Sequence, residues 1–180
     1  MKLIDQILKE VNDVVSNVNE KEVYEVVNII DKSNSIFVDG EGRSGFQAKG
    51  FAMRLMHIGY KSYVMGETIT PALKKNDIYI AISGSGTTKN TLSNARSSKD
   101  LGLKVIAVTS KRNSSLGEIA DIVLMVPGKV KGDGEGESIQ LLSSLFDQAV
   151  HIVLDWICLL ISKRDNFSNK EALNNHVNVE

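Results

Sequence analysis

The 180-residue sequence contains one cysteine (Cys158), two prolines and one tryptophan, and neither sign of charge is in excess. Each shortage excludes something. A lone cysteine can form neither an internal disulfide nor a thiolate metal cluster. Two prolines provide no Pro/Ser-rich linker, and no break in composition marks a second domain, so residues 1–180 are expected to form one domain. With 21 Lys+Arg against 22 Asp+Glu, the net charge of −1 offers no basic surface for nucleic acid or an anionic membrane. The basic spots Lys74-Lys75 and Lys111-Arg112 are short and read as solvated loops. Uninterrupted apolar runs are also scarce. The longest lies in "LFDQAVHIVLDWICLLI" (Leu145–Ile161), where Asp147, His151 and Asp155 interrupt it. A membrane span needs ~20 nearly continuous apolar residues, so this stretch reads as a buried helix. The opening "MKLIDQILKEVNDVV" carries charge throughout and lacks the apolar block of a signal peptide, which makes the cytoplasm the expected location.

What is present is the balance of a globular protein, 42% hydrophobic and 24% charged. Apolar spacing predicts two opening helices over about 2–17 and 21–32. Short β-rich runs then alternate with helical stretches, giving strands at Ser35–Asp39, Ser62–Met65, Ile78–Ser83, Val105–Thr109 and Ile122–Val126. Continuous runs such as "IYIAIS" and "VIAVTS" suit strands covered on both faces, hence a five-stranded parallel sheet in a three-layer α-β-α sandwich. The glycine-rich, charged segment Gly128–Glu137 reads as a loop. A long helix from about Ser138 to Ser162 and a polar tail close the chain. A weak internal repeat pairs "HIGYKSYV" with "DLGLKVIAV", each preceded by a strand and a Gly-x-Gly turn.

Those two turns carry the chemistry. Gly40-Glu41-Gly42-Arg43-Ser44-Gly45 has the G-x-G-x-x-G spacing of a dinucleotide site between a strand and a helix, and Glu67 lies ~20 residues further on, where that motif places an acid. The second turn argues otherwise. In "SGSGTTKN", Ser83, Ser85, Thr87 and Thr88 put four hydroxyls beside two glycines, ahead of a helix whose N-terminus favours an anion. That is a cradle for a compact phosphate, not an extended pyrophosphate, and it lacks P-loop spacing. In a parallel sheet both turns lie at strand carboxyl ends and can face one pocket. A phosphosugar suits them better than a dinucleotide.

No metal-ligand cluster is visible, since His57, His151 and His176 stand far apart in sequence, and there is no G-x-S-x-G elbow. Glu67, Asp147, His57 and His176 remain as isolated acids and bases. Such a set suits proton abstraction beside a carbonyl, which requires neither metal nor cofactor. His151 and Asp155, four apart, read as a buried or interface pair and not as a site; Trp156 and Cys158 read as core.

At these residues the sequence resembles the SIS (sugar isomerase) domain family, and within it the 6-phospho-3-hexuloisomerases. The resemblance rests on "GEGRSGFQAKGFAMRLMHIGYKSYVMGETITPAL" (Gly40–Leu73), "ISGSGTT", "SLFDQ" and the tail "NHVNVE". It implies interconversion of D-arabino-hex-3-ulose 6-phosphate and fructose 6-phosphate without a cofactor, in formaldehyde assimilation or pentose supply. It also implies a homotetramer whose neighbouring subunits close the pocket. By position, Ser44, Ser83, Ser85, Thr87 and Thr88 match the family's phosphate-binding hydroxyls, and Gly42, Arg43, Glu67 and Thr68 its substrate-binding loops. His57 and His176 match family histidines. Asp147 stands where the family usually has Glu, within a stretch that also lacks the family's Pro and Gly at Gln140–Ser143. By position Asp147 is the first candidate for the base, with His57 and His176 in reserve. Arabinose 5-phosphate or sedoheptulose 7-phosphate are alternative substrates, and a non-catalytic sugar-phosphate regulator is the alternative function, although the ~35 residues before the first strand are too few for a helix-turn-helix.

Overall fold

A computed structural model describes residues 1–134 and 138–179. Its elements run α1 (Leu3–Ser16), α2 (Glu20–Ile29), β1 (Ile36–Gly40), α3 (Gly42–His57), β2 (Ser62–Val64), β3 (Ile78–Ile82), α4 (Lys89–Asp100), β4 (Lys104–Thr109), α5 (Ser115–Ile119), β5 (Ile122–Met125), α6 (Ser144–Arg164) and α7 (Asn169–Asn174). The five strands form one parallel sheet in the order β2-β1-β3-β4-β5. β1 pairs with β3 from Ile36–Ile78 to Gly40–Ile82. The direction of winding reverses between these two strands, so a crevice opens at their carboxyl ends.

Strand alternation sorts the core onto two faces. Ile36, Val38, Ile78, Ile80, Ile82, Ile106 and Val108 pack beneath α1, α2, α3 and α6. Phe37, Tyr79, Ala81, Val105 and Ala107 face α4 and α5 through Ala95 and Leu116. The apolar C-terminal run is the central helix of the first layer: Phe146, Val150, Val153, Ile157 and Ile161 of α6 are all buried. Cys158 is buried there too, which pushes its thiol up to about 12.

Two boundaries differ from expectation for visible reasons. The last long helix begins at Ser144, not Ser138. Glu10 on α1 captures the preceding segment by accepting from Ser138 Oγ at 2.7 Å, Ile139 N at 2.8 Å and Gln140 Nε2 at 3.1 Å. Leu142 then takes a left-handed φ of 53°, which no helix tolerates. The tail is not irregular throughout, because Ser168 and Glu171 form a capping box that starts α7. Of the expected Gly128–Glu137 loop, residues 135–137 lie outside the described residues; Asp133 anchors the visible part by accepting from Val130 N at 2.9 Å and Lys111 Nζ at 2.7 Å.

Candidate active site

The first turn is tight because Gly40 and Gly45 have no room for side chains and Gly42 takes a left-handed backbone. A Cβ on Gly45 would lie 2.6 Å from Gly40 O, and Gly42 has φ +59°. α3 can therefore start directly off β1, with Arg43 and Ser44 in its first turn at the crevice. The second turn is equally constrained. A Cβ on Gly84 would lie 2.4 Å from Val130 Cγ1, and one on Gly86 only 2.0 Å from Ser114 Oγ. Gly84 O accepts from Thr109 Oγ1 at 3.1 Å and Ser110 Oγ at 2.9 Å, so the end of β4 holds this turn in place.

The hydroxyls of the second turn are paired with one another. Ser83 Oγ and Thr88 Oγ1 are 2.8 Å apart, and Thr87 Oγ1 donates to Ser85 Oγ at 3.1 Å. Thr88 is the N-cap residue of α4, yet its side chain makes no capping bond. The helix thus presents its unsatisfied N–H groups beside four hydroxyls, a favourable place for a dianion.

Two hydrogen bonds join the turns. Asn90 Nδ2 donates to Glu41 Oε1 at 3.1 Å, and Asn94 Nδ2 donates to Asp39 Oδ2 at 2.9 Å. Asp39 and Glu41 alternate on one side of the extended chain, while Asn90 and Asn94 are one helical turn apart. The buried Asp39 also accepts from Tyr79 Oη, and burial beside that carboxylate drives the Tyr79 hydroxyl far above the usual phenol range. None of these four residues stood out in the sequence; their only signal was this matched spacing, which many surface pairs share.

Asp147 lies in the first turn of α6 and is only 1% exposed. Ser44 Oγ donates to its Oδ1 at 2.9 Å, and Arg43 Nε is 3.5 Å from its Oδ2. Burial pushes the carboxyl above its ordinary value of 3.8; the Ser44 bond and the Arg43 charge offset only part of that. Ser44, expected among the phosphate-binding hydroxyls, thus donates its hydrogen bond to the carboxylate. Beside Asp147 is a pocket of about 520 Å³ between α1, α3 and α6. Ile7, Leu8 and Val11 form its apolar wall, facing Arg43, Gln47, Gln148 and His151. His151 and Asp155 are accordingly not a buried pair: both side chains are more than half exposed, 3.6 Å apart.

The two histidines matched to family positions do come together, but elsewhere. The rings of His57 and His176 stack with centroids 5.0 Å apart, and Asn175 Nδ2 donates to His57 O at 2.9 Å. Burial, with Arg54 and His176 nearby, holds the His57 imidazole below its ordinary value. His57 ends the 16-residue helix that Gly42 begins, which puts it about 21 Å from Arg43 at 1.5 Å per residue. Within one chain His57 and His176 cannot share a pocket with Asp147. Glu67 and Thr68 are exposed in the segment that follows β2, the strand beside β1, and Glu67 is paired to Lys49 at 2.7 Å.

Comparison with known proteins agrees with this geometry. Residues 29–152 match the SIS domain. The chain is 35% identical to the 3-hexulose-6-phosphate isomerase of Bacillus subtilis, over 98% of this chain and 97% of that protein. It is 38% identical to the 3-hexulose-6-phosphate isomerase of Methanocaldococcus jannaschii, over 86% of this chain and 82% of that one. A crystal structure of a Methanococcus jannaschii protein, for which a 3-hexulose-6-phosphate isomerase function was inferred, superposes with a TM-score of 0.86 at 30% identity and covers the whole of both chains.

Proposed function

Because the chain belongs to the SIS domain family, we propose that it is a phosphosugar isomerase interconverting D-arabino-hex-3-ulose 6-phosphate and fructose 6-phosphate through an enediolate. The observation that carries this reading is Asp147, a buried carboxylate with a raised pKa, tied by Ser44 and Arg43 to the turn beside a hydroxyl-lined helix N-terminus. Relatives similar over nearly the full chain bear the name of this activity.

In this reading the phosphate displaces the hydroxyl–hydroxyl pairs of the second turn and takes bonds from Ser83, Ser85, Thr87, Thr88 and the first N–H groups of α4. The first turn, Gly42 and Arg43 included, supports the sugar. Asp147 is the base that removes the proton next to the carbonyl, and a carboxyl shifted upward is better matched to that task near neutral pH. The Arg43 guanidinium stands where negative charge develops on the enediolate. A dinucleotide would leave the second turn unused.

The active form is a cytoplasmic homotetramer. Phe46, Met53, Ile152 and Leu159 are exposed apolar residues of α3 and α6, Phe46 at 70%, and they offer a face for a second copy. Across such an interface the His57–His176 pair of a neighbour can approach a site that it cannot reach within its own chain. Glu67 and Thr68, in the segment after β2, contribute to substrate binding.

The test is an isomerisation assay with hex-3-ulose 6-phosphate, compared with arabinose 5-phosphate and sedoheptulose 7-phosphate, together with thermal shifts. Fructose 6-phosphate should raise Tm and NAD should not, because a ligand that binds only the native state stabilises it. Saturable stabilisation by NAD, with none from any sugar phosphate, would overturn the assignment of both turns.

A further inference from the structure

The Asp147 pocket holds a histidine of the same chain that the proposed mechanism has not used. α3 and α6 face each other through two rungs of matched spacing. Arg43 lies 3.5 Å from Asp147, and one helical turn along both helices Gln47 Oε1 lies 3.0 Å from His151 Nδ1. Residues four apart on a helix share a face, so Asp147 and His151 project into one cavity with their Cβ atoms roughly 6 Å apart. An amide oxygen only accepts, so His151 Nδ1 carries a proton, and Nε2 lies 3.6 Å from Asp155 Oδ2. Gln47 is itself held, its Nε2 donating to Arg43 O at 3.4 Å. The charged groups facing this ring are Asp147 and Asp155 on its own helix and Arg43 on α3; from α1 the pocket receives only Ile7, Leu8 and Val11. The His57–His176 stack is about a helix length away. Among the described residues, His151 is the imidazole that lines the cavity beside Asp147.

We infer that His151 is a catalytic residue of its own protomer's site, moving the proton between the two substrate oxygens while Asp147 moves the proton between the two carbons. The inference rests on the isomerase reading above. The carbon proton next to the carbonyl passes to the Asp147 carboxylate, and its bonding pair becomes the carbon–carbon double bond. The carbonyl π pair takes the Nε2 proton of the doubly protonated imidazolium, so the enediolate oxygen is protonated as its charge develops and the ring is left neutral with its Nδ1 proton. The imidazole then removes the proton of the other hydroxyl, a new carbonyl forms there, and Asp147 returns its proton to the former carbonyl carbon. Both side chains end in their starting states, so no oxidant, reductant or further proton is consumed. Throughout, the Nδ1–H bond to Gln47 holds the ring orientation.

The experiment compares wild type, His151→Ala and His151→Gln by steady-state kinetics, by fructose 6-phosphate thermal shift, and with added imidazole. His151→Ala should lower kcat ~10²-fold or more, within the range of a lost general acid–base group, while KM and the ligand-induced shift stay within about twofold. Imidazole should restore at least about tenfold of that loss, which a structural role would not permit. His151→Gln retains a partner for Gln47 and should fold normally, yet remain as slow as His151→Ala. An active wild type whose His151→Ala variant keeps kcat within about threefold overturns this inference alone. So does a slow variant that imidazole leaves unrestored. A wild type inert toward every phosphosugar removes the isomerase reading, and this inference with it.

Discussion

Gly86→Ala tests whether the second turn is held by its backbone. Gly86 has φ +66°, and an added Cβ would lie 2.0 Å from Ser114 Oγ and 2.5 Å from Ser114 Cβ. The left-handed conformation costs a residue with a Cβ roughly 1–2 kcal/mol. The clash involves Cβ as well as the hydroxyl, so a change of Ser114 rotamer does not relieve it and the chain must move. Ser114 Oγ accepts from Gly117 N at 3.3 Å as the N-cap of α5, and losing a cap costs about 1 kcal/mol. Together these predict a loss of about 2–3 kcal/mol, or about 4–12 °C in Tm for a chain of this size. Because Leu116 N donates to Gly86 O at 3.0 Å, α5 and the cradle should shift together and KM should rise about tenfold, equivalent to ~1.4 kcal/mol. Ser114→Gly removes both clashing atoms and should cost only a few tenths of a kcal/mol, since glycine is tolerated at an N-cap. In the double variant the penalty should fall toward the left-handed cost alone, a coupling of about 1 kcal/mol. Thermal melts and phosphosugar kinetics on the four proteins decide the matter. An unchanged Tm and KM in Gly86→Ala, or strict additivity in the double variant, refutes the reasoning.

Four further substitutions probe the site. Asp147→Asn keeps the side-chain shape but removes the basic oxygen, so kcat should fall ~10²-fold or more, whereas Asp147→Glu should retain or raise the rate; near-full activity of the Asn variant would move the base elsewhere. The same carboxyl predicts a stability trend. Its folded-state pKa is raised above 3.8, so the folded state binds the proton more tightly than the unfolded state does. The resulting stabilisation is fully present below about pH 3.8 and is lost as pH rises through the higher folded value. Asp147→Asn should therefore gain in Tm relative to wild type as pH climbs from about 4 to 8, and a constant difference in parallel melts would contradict the burial argument. Ser83→Ala and Thr88→Val should chiefly raise KM, because the phosphate is held alike in the ground and transition states; a collapse of kcat at unchanged KM would show that these hydroxyls are not a phosphate cradle.

Much of the scaffold was legible because it is written in short-range patterns. The runs Ile78–Ile82 and Val105–Thr109 are apolar on both faces, and such strands suit only a parallel sheet covered on both sides. The glycines of both turns announced close backbone approach. The start of α6 was not legible. Ser138–Ser143 has nothing in its own composition that forbids a helix; what stops it is Glu10, more than a hundred residues earlier in the chain.

The site divides the same way. From the sequence came the identities of the groups: two glycine-rich turns, Asp147 in the Leu145–Ile161 run, and three scattered histidines. Which of them meet was a tertiary matter. Ser44 and Asp147 are 103 residues apart, yet they are bonded because α3 and α6 pack side by side over the same face of the sheet. His57 matched a family position, but it ends the very helix whose start forms the site, and the rigidity of that helix keeps the two ends apart. His151 looked like half of a helix-surface pair until Gln47 of α3 was found against its ring. Spacing along one chain determines which side chains share a face of their own element. Only the packing of one element on another decides which faces meet, because that depends on the burial of apolar surface by residues distant in sequence.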